Sequence, residues 1–418
     1  MPTIKNSSIV RNLHSPESAN ENAIMARLKN TAFLILCIGA LQPVFSGNAV
    51  SQTFHSGGAG ACNGCHIIHQ TQSGPGQMLL QASDPSSICL NCHAGPGGSG
   101  NVSVFSPDGS AMTPGGDFYW LTRTFSWVGG QSPGYSHGHS IVARDYNLVQ
   151  DPMLLNAPGG SYPAARLGCT SCHDPHGQVG GGTEKGGPAV SGSGSYGDQP
   201  FSGTSSGNYR LLGDSDYSGG ATATGYSFTT DAPVARQSSI NRFGESDLSH
   251  VDYGSGMSEW CGNCHSGILN SSHEAGGGTF EHPAGNNEKL ESDLINLYNT
   301  YIRTGDLSGN AATSYLQFVP FERGVQDPAL LDPNSTRGPD ANANVMCLTC
   351  HRAHASAFEN SGRWDFKVPL LSQSHPALGD AGATASDVYF SYYGRDITVE
   401  FGSGQRQFCE KCHGAGTP

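Results

Sequence analysis

The clearest helical pattern of apolar residues lies between positions 288 and 303. The apolar residues that share one helical face there are Leu290, Leu294, Leu297, Tyr298, Tyr301 and Ile302. This spacing predicts an amphipathic helix over 288–303, which Gly305 can end. A second, shorter helix is predicted over 311–318 because Pro320 stops it.

The rest of the chain has little periodicity and is rich in glycine and proline. Its 418 residues include 58 Gly and 24 Pro, about a fifth of all positions, whereas the two residues together average roughly 12%. Hydrophobic residues make up only 36% and charged residues 13%, so long helices and a wide sheet are not expected. Aromatic residues reach 9%, which argues against a disordered polymer. We therefore expect something other than side chains to fill part of the core.

An apolar run near the N-terminus predicts a secretory signal peptide. A short basic region over 25–29 precedes the run over 31–41, and small residues over 46–51 suit a cleavage site. The run is shorter than the about 20 apolar residues that a membrane-spanning helix needs. A lipoprotein anchor at Cys37, inside the run, is the alternative interpretation.

The domain organisation follows from this leader. We predict a leader over 1–51, with translation starting at Met25, and an exported domain over 52–418. The 34 acidic residues outnumber the 21 basic ones and give a net charge of −13. This balance argues against nucleic acid as a partner.

Outside the leader, all the cysteines fall into six pairs with one spacing, and a histidine follows each pair directly. The motifs are Cys62-Asn-Gly-Cys65-His66, Cys89-Leu-Asn-Cys92-His93, Cys169-Thr-Ser-Cys172-His173, Cys261-Gly-Asn-Cys264-His265, Cys347-Leu-Thr-Cys350-His351 and Cys409-Glu-Lys-Cys412-His413. Such a unit attaches haem c: the two thiols add across the vinyl groups, and the histidine takes one axial position on the iron. Zinc ribbons and disulfides also use paired cysteines, but neither requires this histidine. The sequence therefore predicts six covalently bound haems c, each with the motif histidine as proximal iron ligand.

Six haems and sparse regular structure together predict the fold. We expect a multihaem c-type cytochrome: a coil-rich single domain with a few short helices and little strand, wrapped around a stack of six haems. The cofactors would supply the core that the side chains lack.

Histidines outside the motifs outnumber the six irons, so every iron can have a histidine on both sides. The candidates beyond the leader are His55, His69, His137, His139, His176, His250, His273, His282, His354 and His375. Ligation by two histidines lowers the potential relative to ligation by methionine and histidine. It also leaves no open position on the iron, which favours electron transfer over catalysis.

Three motifs continue with a second histidine three residues after the first. These pairs are His66 and His69, His173 and His176, and His351 and His354. Residues three apart on a helical turn project side by side, so they cannot bind one iron from opposite faces. The second histidine must serve a neighbouring haem or none. A structural role is the favoured interpretation for His137, His250, His273 and His375.

Several further segments stand in order over the whole mature chain. They begin with Phe54-His-Ser-Gly-Gly, Met112-Thr-Pro-Gly-Gly-Asp-Phe, Gly138-His-Ser-Ile-Val and Ala157-Pro-Gly-Gly-Ser-Tyr-Pro-Ala. They continue with Cys172-His-Asp-Pro-His-Gly, Gly256-Met-Ser-Glu-Trp-Cys, His282-Pro-Ala-Gly-Asn, Cys350-His-Arg-Ala-His-Ala-Ser and Tyr392-Tyr-Gly-Arg. Together they resemble the OmcS-type hexahaem outer-surface cytochromes of metal-reducing bacteria, which polymerise into electron-conducting filaments. The resemblance is loose over about 183–250 and 355–390.

The resemblance implies which histidines are the distal ligands and what the protein contacts. The histidines in matching segments are His55, His69, His139, His176, His282 and His354. In the family, the histidine that corresponds to His69 binds a haem of the next subunit, which implies a homopolymer. Other redox cytochromes and extracellular acceptors such as metal oxides or electrodes are the implied partners. The implied location is the outer surface, reached through the periplasm.

Two other functions remain open on the sequence alone. One is a monomeric periplasmic electron carrier. The other is a multihaem reductase with one open haem; nitrite reductases of this kind usually have Lys for His in one motif, whereas all six motifs here keep His. The sequence thus favours a protein that is not an enzyme.

Overall fold

The computed structural model describes most of the region that carries the motifs. The described residues are 64–67, 80–97, 102–175, 209–215, 217–218, 226–237, 244–269 and 282–414. All of them belong to the unit Thr53–Pro418. The predicted leader over 1–51 lies outside the described residues.

Short helices and long irregular connections make up the described part of the chain. The α-helices are α1 Pro85–His93, α2 Cys169–Cys172, α3 Met257–Leu269, α4 Ser292–Thr300, α5 Cys347–Cys350, α6 Ala385–Ser391 and α7 Ile397–Glu400. Single 3₁₀ turns such as Phe118–Thr122, Glu359–Ser361 and Phe408–Lys411 lie between them. Among these helices, none has the length and apolar character needed to cross a bilayer. The prediction of a coil-rich chain with few short helices is confirmed.

The strands form two separate two-stranded ribbons. β1 Phe125–Trp127 pairs antiparallel with β2 Gly130–Ser132. β3 Val234–Gln237 pairs antiparallel with β4 Val251–Ser255 and has an irregularity at its first residues. These ribbons agree with the prediction of little strand.

The two helices predicted from apolar spacing have different outcomes. α4, Ser292–Thr300, is shorter than the predicted 288–303. It begins late because the Leu290 backbone N–H donates outside the helix, to the Ala343 carbonyl at 2.9 Å. The helix predicted over 311–318 is wrong. The Asn310 side chain accepts a hydrogen bond from the Ala312 N–H at 3.0 Å and forms a turn. Residues 314–318 are all buried and irregular, whereas an amphipathic helix would bury only one face.

Aromatic side chains dominate the core that surrounds the C-terminal motifs. Phe318 and Phe408 stack with their ring centres 5.3 Å apart, and Phe401 meets both rings edge-on. Trp364 packs perpendicular to Phe408 at 5.7 Å. All four side chains are buried. Large flat rings therefore hold together a region that has few regular hydrogen-bonded elements.

One buried carboxylate organises the loop that precedes the first 3₁₀ turn. Asp117 accepts hydrogen bonds from the backbone N–H groups of Ser106, Ala111 and Tyr119 at 2.9–3.1 Å, and from the Ser106 hydroxyl at 2.5 Å. Its own N–H donates to the Ala355 carbonyl at 3.0 Å. The side chain of Asp117 thus fixes the loop, and its backbone N–H attaches the loop to the segment that follows the fifth motif.

Replacing Asp117 with Ala should destabilise the fold strongly. The substitution leaves three buried backbone donors without their acceptor, so the free energy of unfolding should fall by about 3 kcal/mol. Asp396→Ala is the matched control, because Asp396 caps the exposed end of α7 and its loss should cost only about 1 kcal/mol. Urea denaturation followed by circular dichroism measures both. Equal losses for the two variants would contradict this account of the loop.

Candidate functional site

Three pairs of histidine rings face each other at nearly the same distance. The ring centres are 6.0 Å apart for His139 and His265, 6.2 Å for His173 and His354, and 6.0 Å for His282 and His413. If one metal ion lay between two such rings, its two bonds to nitrogen would take up about 4 Å of this separation, at about 2.0–2.1 Å each as in zinc sites. The remaining length of about 2 Å covers the two distances from ring centre to nitrogen. The spacing therefore fits two imidazoles on opposite sides of one metal ion. Each pair joins one motif histidine to one histidine predicted as a distal ligand.

Backbone carbonyls fix the orientation of six histidine rings, of which four belong to the facing pairs. In each of the six, Nδ1 lies 2.7–2.8 Å from a carbonyl oxygen. The pairs are His93 with Val102, His139 with Ala353, His173 with Arg210, His265 with Pro158, His282 with Pro283 and His351 with Asn360. A ring that donates from Nδ1 presents its other nitrogen, Nε2, as the metal ligand.

Burial keeps several of the rings neutral, as metal ligands must be. Burial, followed by the neighbouring His265 ring, lowers the pKa of His139 to about 4. Burial, followed by the neighbouring His173 ring, lowers the pKa of His354 to about 3. Burial also lowers the pKa values of His351 and His413. These imidazoles are therefore prepared to donate a nitrogen lone pair near neutral pH.

Glycines allow the chain to approach the His354 ring closely. The backbone N–H of His354 donates to the Gly115 carbonyl at 2.7 Å. A Cβ atom at Gly115 would lie 3.0 Å from the His354 ring. Gly116 has a φ of +99°, and a Cβ there would lie 2.0 Å from the Ala355 carbonyl oxygen. On the other side Phe118 stacks on the ring at 4.7 Å. The loop fixed by Asp117 therefore holds this ring in place.

The described cysteines lie where thioether attachment requires them. α1, α2, α3 and α5 each carry both cysteines of one motif, and the turn Phe408–Lys411 carries the first cysteine of the last motif. All described cysteines have free thiols, the form in which they would add to the vinyl groups of haem. Cys62 lies outside the described residues.

Successive attachment sites lie next to each other in space. The Cys89 thiol contacts the Cys169 thiol, and the Cys261 thiol contacts the Cys347 thiol. Cys172 is within electrostatic reach of Cys264, and Cys350 is within reach of Cys409 and Cys412. The motifs from the second to the sixth are thus neighbours in the order of the sequence.

A serine three residues before a motif joins it to the next motif. The Ser86 hydroxyl accepts the Cys169 N–H at 3.0 Å, and the Ser258 hydroxyl accepts the Cys347 N–H at 3.0 Å. Neither serine was identified by the sequence analysis. The signal was present, because a serine stands three residues before the first cysteine in both the second and the fourth motif.

The third and fifth motifs have the same backbone frame. The Nδ1 atoms of His173 and His351 both reach the carbonyl of a residue with left-handed backbone, Arg210 at φ 50° and Asn360 at φ 56°. The residue after each histidine donates its N–H at 2.7 Å, Asp174 to the Leu211 carbonyl and Arg352 to the Ser361 carbonyl. Another N–H donates to each second cysteine: Gly213 to Cys172 at 2.9 Å and Arg363 to Cys350 at 2.7 Å. Segments far apart in sequence therefore place the two proximal histidines in the same way.

The remaining predicted residues divide into two groups. Cys62, His55, His69, His176 and His273 lie outside the described residues. His137, His250 and His375 have contacts within the protein: His137 bonds the Ser132 hydroxyl at 2.6 Å, His250 bonds the Ser335 carbonyl at 2.9 Å, and His375 bonds the Asp380 carboxylate at 2.6 Å. These contacts support the structural role that was favoured for the three.

Comparison with known proteins identifies the family of the chain. No protein-family model matches the chain. The chain is 39% identical over 409 residues to the C-type cytochrome OmcS of Geobacter sulfurreducens, and the match covers 86% of this chain and 94% of that protein. Two solved structures are also similar, a filament of outer membrane cytochrome S and OmcS nanowires, both from Geobacter sulfurreducens. Each is 37% identical and covers 86% of this chain and 99% of the other, with TM-scores of 0.71 and 0.72. The chain therefore belongs to the family of the c-type cytochrome OmcS.

Proposed function

We propose that the protein carries electrons through six covalently bound haems c and delivers them outside the cell as the subunit of a cytochrome filament. The three facing imidazole pairs are the observation that carries this proposal. Bound haem supplies a one-electron couple of its iron. At these three sites an imidazole from each side would leave a substrate no open coordination position on the iron. We propose on this ground that the protein is not an enzyme.

The residues of this chain fit the cofactor as follows. Each motif would bind one haem through its two cysteines and the iron of that haem through its histidine. His354 would be the second ligand in the third motif, His139 in the fourth and His282 in the sixth, since these are the facing pairs. His55, His69 and His176 would then serve as a group the irons of the first, second and fifth motifs, with no one-to-one order among them.

The contribution of the protein to electron transfer is to bring the attachment sites together in order. Contacts between thiols join the second motif to the third and the fourth to the fifth. Electrostatic contacts join the third to the fourth and the fifth to the sixth. We propose that electrons pass between the haems in this order.

The filament is proposed from the relatives. Two similar structures are of filaments or nanowires, and this chain covers nearly the whole of each. We propose that copies of this chain polymerise through His69, which binds a haem of the adjacent subunit. Such a filament would be exported to the outer surface, where it exchanges electrons with other redox cytochromes and with acceptors such as metal oxides or electrodes.

The native protein should contain six covalent haems, all low-spin. Each of the six motifs uses its cysteines once, and a second histidine exists for every iron. Pyridine haemochrome quantification with intact mass should give six haems per chain, and the electronic spectrum should lack a high-spin signal. Five haems or fewer would contradict the assignment.

His354→Ala should leave every haem attached but convert one iron in six to the high-spin state. The thioether bonds do not involve His354, whereas the iron of the third motif loses its distal ligand. His137→Ala is the matched control, because His137 is buried and its ring bonds the Ser132 hydroxyl and the Trp120 carbonyl. Absorption and electron paramagnetic resonance spectra measure the result. A fully low-spin His354→Ala protein would show that His354 is not a ligand.

His69→Ala should abolish filaments while the subunit keeps its covalent haems. One iron would then lack its distal ligand, since the proposed donor belongs to the neighbouring subunit. His375→Ala, which alters a histidine bonded to Asp380, should still form filaments. Negative-stain microscopy of the two secreted variants decides between the outcomes. Filaments of normal length from His69→Ala would refute the intermolecular role.

A further inference from the structure

The shared frame of the third and fifth motifs reveals a difference in charge at equivalent positions. Asp174 follows the proximal His173, and Arg352 follows the proximal His351; both side chains are buried. Gly213 donates to the second cysteine of the third motif, and Arg363 does so in the fifth. Because the backbone contacts described above are shared, the charges of the side chains at these positions can be compared directly.

The fifth motif is bordered by a buried ionic cluster of Arg352, Glu245 and Arg363. The Glu245 carboxylate accepts from Arg352 at 2.8 Å and lies 3.3 Å from the Arg363 guanidinium. The exposed fraction of these side chains is 2% for Arg352 and 0% for the other two. Water therefore screens their charges little.

Arg363 connects this cluster to the proximal ligand. Its Nε donates to the carbonyls of Leu348 at 2.6 Å and His351 at 3.2 Å. Its positive charge acts on the His351 ring. The cluster is therefore fixed against the backbone of the haem-binding motif itself.

The cluster carries a net charge of +1. Arginine keeps its charge in proteins. Burial acts to raise the pKa of Glu245, but attraction to Arg363 and Arg352 outweighs it and lowers this pKa, so the carboxylate is ionised. In the third motif the buried residue that follows the proximal histidine is the acidic Asp174, and Arg210 acts on the His354 ring. The two motifs therefore place opposite charges at the residue that follows the proximal histidine.

We propose that the Arg352–Glu245–Arg363 cluster raises the reduction potential of the haem attached at Cys347 and Cys350. Oxidised iron carries one more positive charge than reduced iron, so a nearby fixed positive charge disfavours oxidation. Burial and groups around the ligands are established ways in which proteins tune haem potentials. The proposal rests on the proposed role of His351 as a proximal ligand.

Two substitutions that break the same salt bridge separate charge from structure. Arg352→Gln removes a positive charge and should lower the potential of this haem, while Glu245→Gln removes a negative charge and should raise it. Each should change the ratio of reduced to oxidised iron at fixed potential about tenfold, which equals about 59 mV for a one-electron couple. Redox titration followed by electron paramagnetic resonance resolves the individual low-spin ferric signals.

Matched variants identify the haem and guard against misfolding. Arg352→Lys keeps the charge and should leave the potential close to that of the native protein. Asp174→Asn should raise the potential of a different signal, that of the third motif. Shifts of Arg352→Gln and Glu245→Gln in the same direction, or no shift in either, would overturn the proposal.

Failure of the ligand assignment has a different signature. If the native protein lacks six low-spin haems, the proposed function fails. If all variants keep six low-spin haems but the predicted opposite shifts do not occur, only the role of the cluster fails.

Discussion

The close facing of histidine rings from distant segments is the constraint on which the rest of this structure depends. The paired rings come from segments far apart in the chain: His139 faces His265, His173 faces His354, and His282 faces His413. The ring centres of the three pairs lie at nearly the same distance, 6.0–6.2 Å. Every loop between the partners is therefore fixed at both ends, which explains how a chain with few helices and strands adopts a defined fold.

The segment that follows the fifth motif shows how densely this constraint is applied. His351 is the proximal residue of its own motif, His354 faces the third motif, and the Ala353 carbonyl orients His139, which faces the fourth. Three of four consecutive residues, His351, Ala353 and His354, thus take part in three proposed iron sites. The loop fixed by Asp117 supports them through contacts at 115–117. Tight backbone packing of this kind needs glycine, which accounts for part of the unusual composition.

Local patterns in the sequence predicted what depends on local chemistry. The cysteine and histidine spacing indicated the attachment sites, and the scarcity of periodic segments indicated a coil-rich chain. The helix predicted over 311–318 failed because the Asn310 side chain forms a turn and the following residues are buried by tertiary contacts. Which distal histidine faces which motif depends on long-range folding, so spacing alone did not determine it. The interaction of Glu245 with Arg352 and Arg363 has no sequence signature for the same reason.

A cryo-EM map of the native protein, at a resolution that shows haem and side chains, tests the central claim most directly. The account predicts an iron between the Nε2 atoms of His139 and His265, another between His173 and His354, and another between His282 and His413. The first of these irons should lie in the haem of the fourth motif, the second in that of the third motif, and the last in that of the sixth motif. A map in which the two histidines of any pair bind different irons, or in which either binds none, would contradict it.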